Sequence, residues 1–443
     1  MSRLPSPADA GADAPAAPPV GGTLTSADRS LAPDLARGAM LLLIALAHAH
    51  MYLYGQPTGF RGYALDAGPV DQVVAGLQVL FVDGRALPMF AALFGYGLVR
   101  LADRRAATGA DWPEVRGLLR RRSRWLIAFG FAHALLLFFG DILATYGLLG
   151  LVLVGMVRAR DRTLLWVAGL WTLVFAAIST MPALQLIEAG SMPLPTSVES
   201  PFAAIGPRLA AWAVLVPLLA LDVVTPLLLG IWAARRRLLD DPGRHRTLLT
   251  RTAVVGIALA VLGGTPLALI DAGVWNGWTA ATAVPAYVLH GLTGIAAGLG
   301  YAALVGLIAD HRAAVPGRII TALAACGQRS LTCYLLQSVA FVALFAPFTA
   351  GLGGRLTDAG ASAVAVGVWL GTVLLAELMR RSGQRGPAEV LLRRLSYRTV
   401  PARTRGPAGT TTGRDQAGTT GPDQVTASAT GSAGPADRRR LLS

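Results

Sequence analysis

Long uninterrupted runs of apolar residues are the feature of this sequence that most restricts its fold. Several runs exceed the ~18 apolar residues that mark a membrane-spanning helix, and they lack the alternation of strands and the one-sided pattern of soluble helices. Hydrophobic residues fill 53% of the 443 positions and charged residues only 14%, whereas a soluble domain carries roughly 25% charged residues. The sequence therefore predicts an all-α fold, a polytopic bundle of transmembrane helices.

About ten apolar segments are the expected spans. The third and fourth are separated by little more than Gly140 and Asp141, which predicts a tight helical hairpin. The predicted spans are residues 36–54, 76–99, 123–139, 142–158, 163–182, 208–234, 252–271, 282–308, 329–348 and 361–379.

The two ends of the chain differ in composition from its middle. Residues 1–30 are rich in Ala, Pro, Gly and Ser, and residues 401–443 are rich in Gly, Thr, Ala and Pro. Such segments bury too little apolar surface to fold, so both are expected to be disordered. This leaves residues 31–400 as the transmembrane domain.

Arginine is the only cationic side chain besides histidine, and its distribution predicts the orientation. With a cytoplasmic N-terminus, the inner segments hold 29 arginines and the outer segments only four, Arg61, Arg85, Arg208 and Arg355. Cytoplasmic loops are enriched in basic residues. The sequence thus predicts a multi-pass protein of the bacterial cytoplasmic membrane with both termini inside. The net charge of +14 is then explained by helix ends at the lipid headgroups, and no nucleic-acid partner is expected.

The first span carries a cation and a titratable ring on one face. Arg37 and His48 are eleven residues apart, about three full turns and 16 Å along an α-helix. With Arg37 at the cytoplasmic boundary, His48 lies near the middle of a ~30 Å hydrocarbon core. This pattern suits a substrate with an anionic head whose reactive end reaches the imidazole, since histidine exchanges protons near neutral pH. The alternative is that Arg37 reaches the headgroups and His48 bonds a neighbouring helix.

A second histidine is expected near mid-depth in the third span. His133 is followed by Asp141 at the outer hairpin. Asp141 is a favoured residue for the N-cap of the fourth helix, and it is also a candidate for orienting a histidine. The sequence shows no metal-binding or phosphate-loop motif, so no metal or tightly bound cofactor is expected.

Several sequence blocks resemble the YeiB-like family of bacterial inner-membrane proteins of unknown function. These blocks are Asp34-Leu-Ala-Arg37-Gly38, Phe81…Gly84-Arg85…Leu93-Phe94-Gly95, His133…Gly140-Asp141-Ile142-Leu143…Tyr146, Gly327-Gln-Arg-Ser-Leu331-Thr332-Cys-Tyr334-Leu-Leu-Gln337-Ser338 and Gly386-Pro387-x-Glu389…Arg393…Tyr397.

The spacing from Arg37 to His48 is also similar to the first-helix pattern of membrane acyltransferases that acylate cell-surface sugars. That resemblance implies a catalytic His48 and a cytoplasmic acyl-CoA as co-substrate. The phosphates of acyl-CoA would then meet Arg37, Arg120 and Arg124, and a cell-envelope acceptor would approach near Asp141, with His133 as a further catalytic candidate. The YeiB-like pattern usually has Asn where this chain has His48.

Two functions remain open at this point. An acyltransferase accounts for a cation and an imidazole on one face. A small-molecule or proton-coupled transporter accounts equally well for ionisable residues such as His48, His133 and Asp222 inside a bundle.

Overall fold

The structure, a computed structural model, describes residues 31–189, 195–312 and 316–397. Residues 1–30 and 401–443, which the sequence predicts to be disordered, lie outside these described residues. Within them the chain forms fourteen α-helices and no β-strand, which confirms the all-α prediction. The helices are α1 (Leu31–Ala49), α2 (Pro69–Phe81), α3 (Ala86–Ala107), α4 (Trp112–Leu136), α5 (Ile142–Val152), α6 (Asp161–Ala189), α7 (Ile205–Asp222), α8 (Val224–Arg235), α9 (Arg246–Asp271), α10 (Ala280–His311), α11 (Arg318–Gln328), α12 (Ser330–Phe345), α13 (Asp358–Arg381) and α14 (Pro387–Ser396).

The number of helices able to cross a membrane is lower than the ten predicted. In the described part of the chain, seven helical stretches are long and apolar enough, and the bent pair of α11 and α12 brings the number to eight. The difference arises in the α4–α5 hairpin. Helix α5 has 11 residues, about 16 Å of length against a ~30 Å core, and α4 carries the arginine run 116–124 within its first half.

Several predicted spans are broken or shortened in the structure; the span predicted as 76–99, for example, crosses the non-helical residues 82–85 between α2 and α3. The segment predicted as 208–234 breaks at Val223, because Pro226 lacks an N–H and its ring clashes with the backbone one turn earlier. The carbonyl of Leu221, released from helical bonding by this break, accepts a hydrogen bond from Trp171 Nε1 at 2.7 Å. The segment predicted to start at residue 329 is α12, which is preceded by α11 at a bend of 86°.

Glycines allow the central helices to approach one another closely. A Cβ at Gly38 of α1 would overlap the carbonyl of Leu323 in α11, and a Cβ at Gly327 would overlap the carbonyl of Asp34. Small residues at such crossings are the usual basis of helix packing in lipid. Helix α6 lies at the periphery, where Leu170 and Leu173 are largely exposed, as a lipid-facing surface requires.

We expect Gly327→Ala to lower the free energy of unfolding by about 1–3 kcal/mol, the usual cost of overpacking. The physical reason is that the added methyl group must displace the α1 backbone. The measurement is thermal unfolding in detergent. Gly371→Ala on α13 is the matched control, because its Cβ meets no atom within 4 Å and alanine favours a helix. Equal midpoints for the two variants would contradict the prediction.

Candidate functional site

A cavity of about 330 Å³ opens between α1, α3, α4, α5, α11, α12 and α14. Its mouth is charged and its inner end is apolar and aromatic. The charged lining residues are Asp34, Arg37, Arg104, Arg122 and Glu389, and the inner lining includes Leu41, Ile44, Phe90, Leu93, Phe94, Leu126, Ile142, Leu143, Tyr146 and Tyr334. This arrangement fits a molecule with an anionic head and a less polar tail.

Three guanidinium groups and two carboxylates surround the mouth, but the carboxylates are already engaged. Asp34 Oδ1 lies 3.2 Å from Arg37 Nη1. Glu389 caps α12, since its Oε1 accepts from the backbone N–H of Leu331 at 2.7 Å and its Oε2 accepts from the Thr332 hydroxyl at 2.6 Å. The net positive charge left at the mouth favours an anionic ligand.

The arginines of α4 that face this cavity differ from those selected in the sequence. Arg122 lines the mouth and interacts electrostatically with Arg37. Arg120 and Arg124 are exposed and do not line the cavity. The physical reason is that two residues turn a helix by about 200°, so neighbours two apart point to nearly opposite sides.

The cavity follows one stripe of α1, and His48 lies on the same stripe. The α1 residues that line the cavity recur at intervals of three or four: Asp34, Arg37, Leu41 and Ile44. His48 lies four residues after Ile44 and so continues this spacing. The imidazole of His48 is partly buried inside the bundle. It packs with its centroid 4.6 Å from the ring of Phe138 and 6.2 Å from that of Tyr334. His48 itself does not line the cavity, but its ring packs against that of Tyr334, which does.

His133 and Asp141 meet in the bundle interior. His133 donates from Nδ1 to Asp141 Oδ1 at 3.1 Å, and its Nε2 lies 2.8 Å from Ser338 Oγ. The other carboxylate oxygen of Asp141 accepts from the Ala144 N–H at 2.7 Å and so caps α5, as the sequence predicted. All three polar side chains of this Ser338–His133–Asp141 cluster are buried.

Tyr334 connects the two histidines. The centroid of the His133 ring lies 5.0 Å from that of the Tyr334 ring, and His48 packs edge-on against the same ring at 6.2 Å. Sequence reasoning missed Ser338 and the role of Tyr334. The available signal was their spacing of four on α12, which places both on one helical face.

A second buried polar cluster lies apart from this cavity. The Arg85 guanidinium is fully buried and donates to the carbonyl of Asp83 at 2.8 Å, with His290 Nε2 at 2.6 Å. The Asp83 carboxylate accepts from the Tyr63 hydroxyl at 2.8 Å. Burial, and then the Asp83 charge, raise the pKa of Tyr63, so this phenol stays a donor. Asp222, a candidate for a transport path, interacts electrostatically with Arg61 of this region rather than with either histidine.

We expect Asp141→Ala to destabilise the protein more than the loss of an ordinary helix cap. Asp111 is the matched control, because it caps the exposed start of α4 through the Glu114 N–H at 2.9 Å and holds no histidine. Asp111→Ala should cost about 1 kcal/mol of unfolding free energy. Asp141→Ala should cost about 1–3 kcal/mol more, because His133 loses a buried partner. Chemical unfolding in detergent measures both, and equal losses would contradict the prediction.

Comparisons with known proteins agree with the resemblance seen in the sequence. Residues 233–399 match the family model described as "Protein of unknown function (DUF418)". The chain is 25% identical over 393 residues to the uncharacterized protein YxaH of Bacillus subtilis (strain 168), covering 82% of this chain and 93% of YxaH. It is 27% identical over 419 residues to the uncharacterized protein YeiB of Escherichia coli (strain K12), covering 87% of this chain and 100% of YeiB. These matches confirm the resemblance: the chain is similar to YxaH and YeiB over most of its length, and residues 233–399 match the DUF418 family model.

Proposed function

We propose that this protein is a membrane acyltransferase that moves an acyl group from a cytoplasmic acyl-CoA to an extracytoplasmic or lipid-linked acceptor. The observation that carries the proposal is the cavity that begins among Arg37, Arg104 and Arg122 and ends at Tyr334, against which His48 packs. A CoA thioester has a distribution of charge that matches this cavity. Its phosphates are at one end, and its reactive carbonyl is at the other end of a long flexible arm.

The arginines at the mouth supply the binding energy in this proposal. Guanidinium groups bind phosphate through paired, charge-assisted hydrogen bonds. Arg37 and Arg122 lie close enough to interact with each other, so an anionic ligand between them also relieves their repulsion. Arg120 and Arg124, being exposed, would meet lipid headgroups and have no part in binding acyl-CoA.

The orientation belongs to the same proposal. The arginine-rich mouth would face the cytoplasm of a bacterial inner membrane, following the positive-inside pattern. An even number of spans supports cytoplasmic positions for both termini, and the described helices reach eight when α11 and α12 count as one.

The chemistry assigned to His48 is general base catalysis. No hydrogen bond to another described residue occupies this imidazole, in contrast to that of His133. His48 would take the proton of the acceptor hydroxyl or amine while the acceptor atom attacks the thioester carbonyl carbon. The C–S bond then breaks, and the proton passes from His48 to the thiolate, giving CoA thiol and the acylated acceptor.

His133 and Asp141 are positioning residues in this scheme. The carboxylate of Asp141 fixes the ring of His133 by accepting its Nδ1 proton. The His133 ring in turn packs against the Tyr334 ring, with the centroids 5.0 Å apart. This arrangement keeps the inner end of the cavity rigid, as a preorganised site needs.

We expect the purified protein to bind acetyl-CoA and to release free thiol slowly when water is the acceptor. Arg37→Ala should weaken binding about 10- to 100-fold, since a charge-assisted contact contributes about 1.5–3 kcal/mol. His48→Ala should abolish thiol release with little change in binding. Binding should also weaken as salt is raised. Calorimetry and a thiol-reactive dye measure the two quantities in detergent.

The matched controls are Arg318→Ala and His311→Ala, two exposed residues outside the cavity. Both variants should behave as wild type. A wild type that binds no acetyl-CoA but carries a solute into liposomes would contradict the proposal and favour a transporter.

A further inference from the structure

The hydroxyl of Tyr334 is a buried donor at the inner end of the cavity. The side chain is only 3% exposed, and the residue lines the cavity one helical turn deeper than Ser330 and Leu331. Its hydroxyl completes no well-formed hydrogen bond with the described residues. Buried polar groups without a partner are rare and need an explanation. A ligand that accepts a hydrogen bond from the Tyr334 hydroxyl would provide that explanation.

The first residues of α5 line the same cavity as Tyr334. Ile142 and Leu143, the first two residues of α5, also line the cavity. The backbone N–H of Ile142 lies near the Tyr334 oxygen, and the hydroxyl proton has no acceptor among the described residues. Of the backbone N–H groups in the first turn of α5, the Asp141 carboxylate accepts a hydrogen bond only from that of Ala144. The N-terminus of a helix carries a partial positive charge and favours a developing anion.

The Tyr334 ring has little freedom to move. His133 packs on it at 5.0 Å between centroids and His48 at 6.2 Å. A donor held in place before the substrate arrives costs no reorganisation when charge develops, which is the basis of oxyanion stabilisation.

We infer that the Tyr334 hydroxyl, backed by the N-terminus of α5, is a carbonyl-binding site for the thioester of the acyl donor. This inference rests on the proposed function. When the acceptor atom attacks, the C=O electron pair moves to the carbonyl oxygen, and the acceptor proton goes to His48. The Tyr334 proton stays on its own oxygen and stabilises the oxyanion by a hydrogen bond. The oxyanion then collapses, the C–S bond breaks, and His48 returns its proton to the thiolate.

The first test compares Tyr334→Phe with Tyr52→Phe. Tyr52 is the matched control, because it is also buried, at 2% exposure, its hydroxyl also lacks a partner, and it does not line the cavity. Neither hydroxyl completes a well-formed hydrogen bond with a described residue, so both variants should fold with unfolding midpoints close to that of the wild type. Tyr334→Phe should lower thiol release from acetyl-CoA by about 100-fold or more. It should weaken acetyl-CoA binding far less, by about 2- to 12-fold, which corresponds to about 0.5–1.5 kcal/mol for one hydrogen bond, and Tyr52→Phe should retain the wild-type rate.

The second test reads the carbonyl directly and needs no turnover. In the His48→Ala background, bound acetyl-CoA labelled with carbon-13 at its carbonyl should show an infrared stretch shifted to lower wavenumber. In His48→Ala with Tyr334→Phe, the band should return to its position in solution. An identical band in the two proteins would overturn the inference.

The outcomes separate the inference from the proposed function. If wild type binds and cleaves acetyl-CoA and Tyr334→Phe does so within twofold, the carbonyl site is wrong and the acyltransferase proposal stands. If wild type neither binds nor cleaves acetyl-CoA, the acyltransferase proposal fails and the carbonyl site fails with it.

Discussion

One carboxylate, that of Asp141, connects the fold of this protein to its candidate site. One of its oxygens caps α5 and the other holds His133, whose ring supports Tyr334. Gly130 makes this possible, because a Cβ there would overlap the Asp141 carboxylate and force α4 away from α5. In an apolar bundle each polar group needs a partner within the protein. The chain meets this need by giving one side chain two structural roles at the same point.

The two buried polar clusters solve the same physical problem differently. The Arg85 guanidinium is enclosed by carbonyl oxygens and by His290, so its donors are satisfied and nothing is left for a ligand. At the cavity, in contrast, hydrogen-bonding capacity and charge are left over, since Tyr334 retains an unpartnered donor and the mouth retains positive charge. Buried, satisfied polar groups specify a fold, whereas unsatisfied ones beside a cavity indicate binding.

The sequence predicted the parts of this structure that depend on local pattern. Apolar runs located the helices, the hairpin at Gly140 and Asp141 was placed correctly, and Asp141 is the cap that its residue type favoured. The rotation of α4 was not predictable, because choosing Arg122 over Arg120 and Arg124 requires knowing which face of α4 lines the cavity. The Ser338 contact with His133 joins residues 205 positions apart, and no periodicity in a single sequence reports such a pairing.

The cap that α14 places on α12 has a consequence for when this protein becomes complete. Arg37, at one side of the cavity mouth, enters the membrane with the first helix, whereas Glu389, at the other side, is among the last described residues to leave the ribosome. Until Glu389 arrives, the first backbone N–H groups of α12 lack their acceptor. The cavity as described, with Glu389 in its lining, is therefore complete only after α14 has been synthesised.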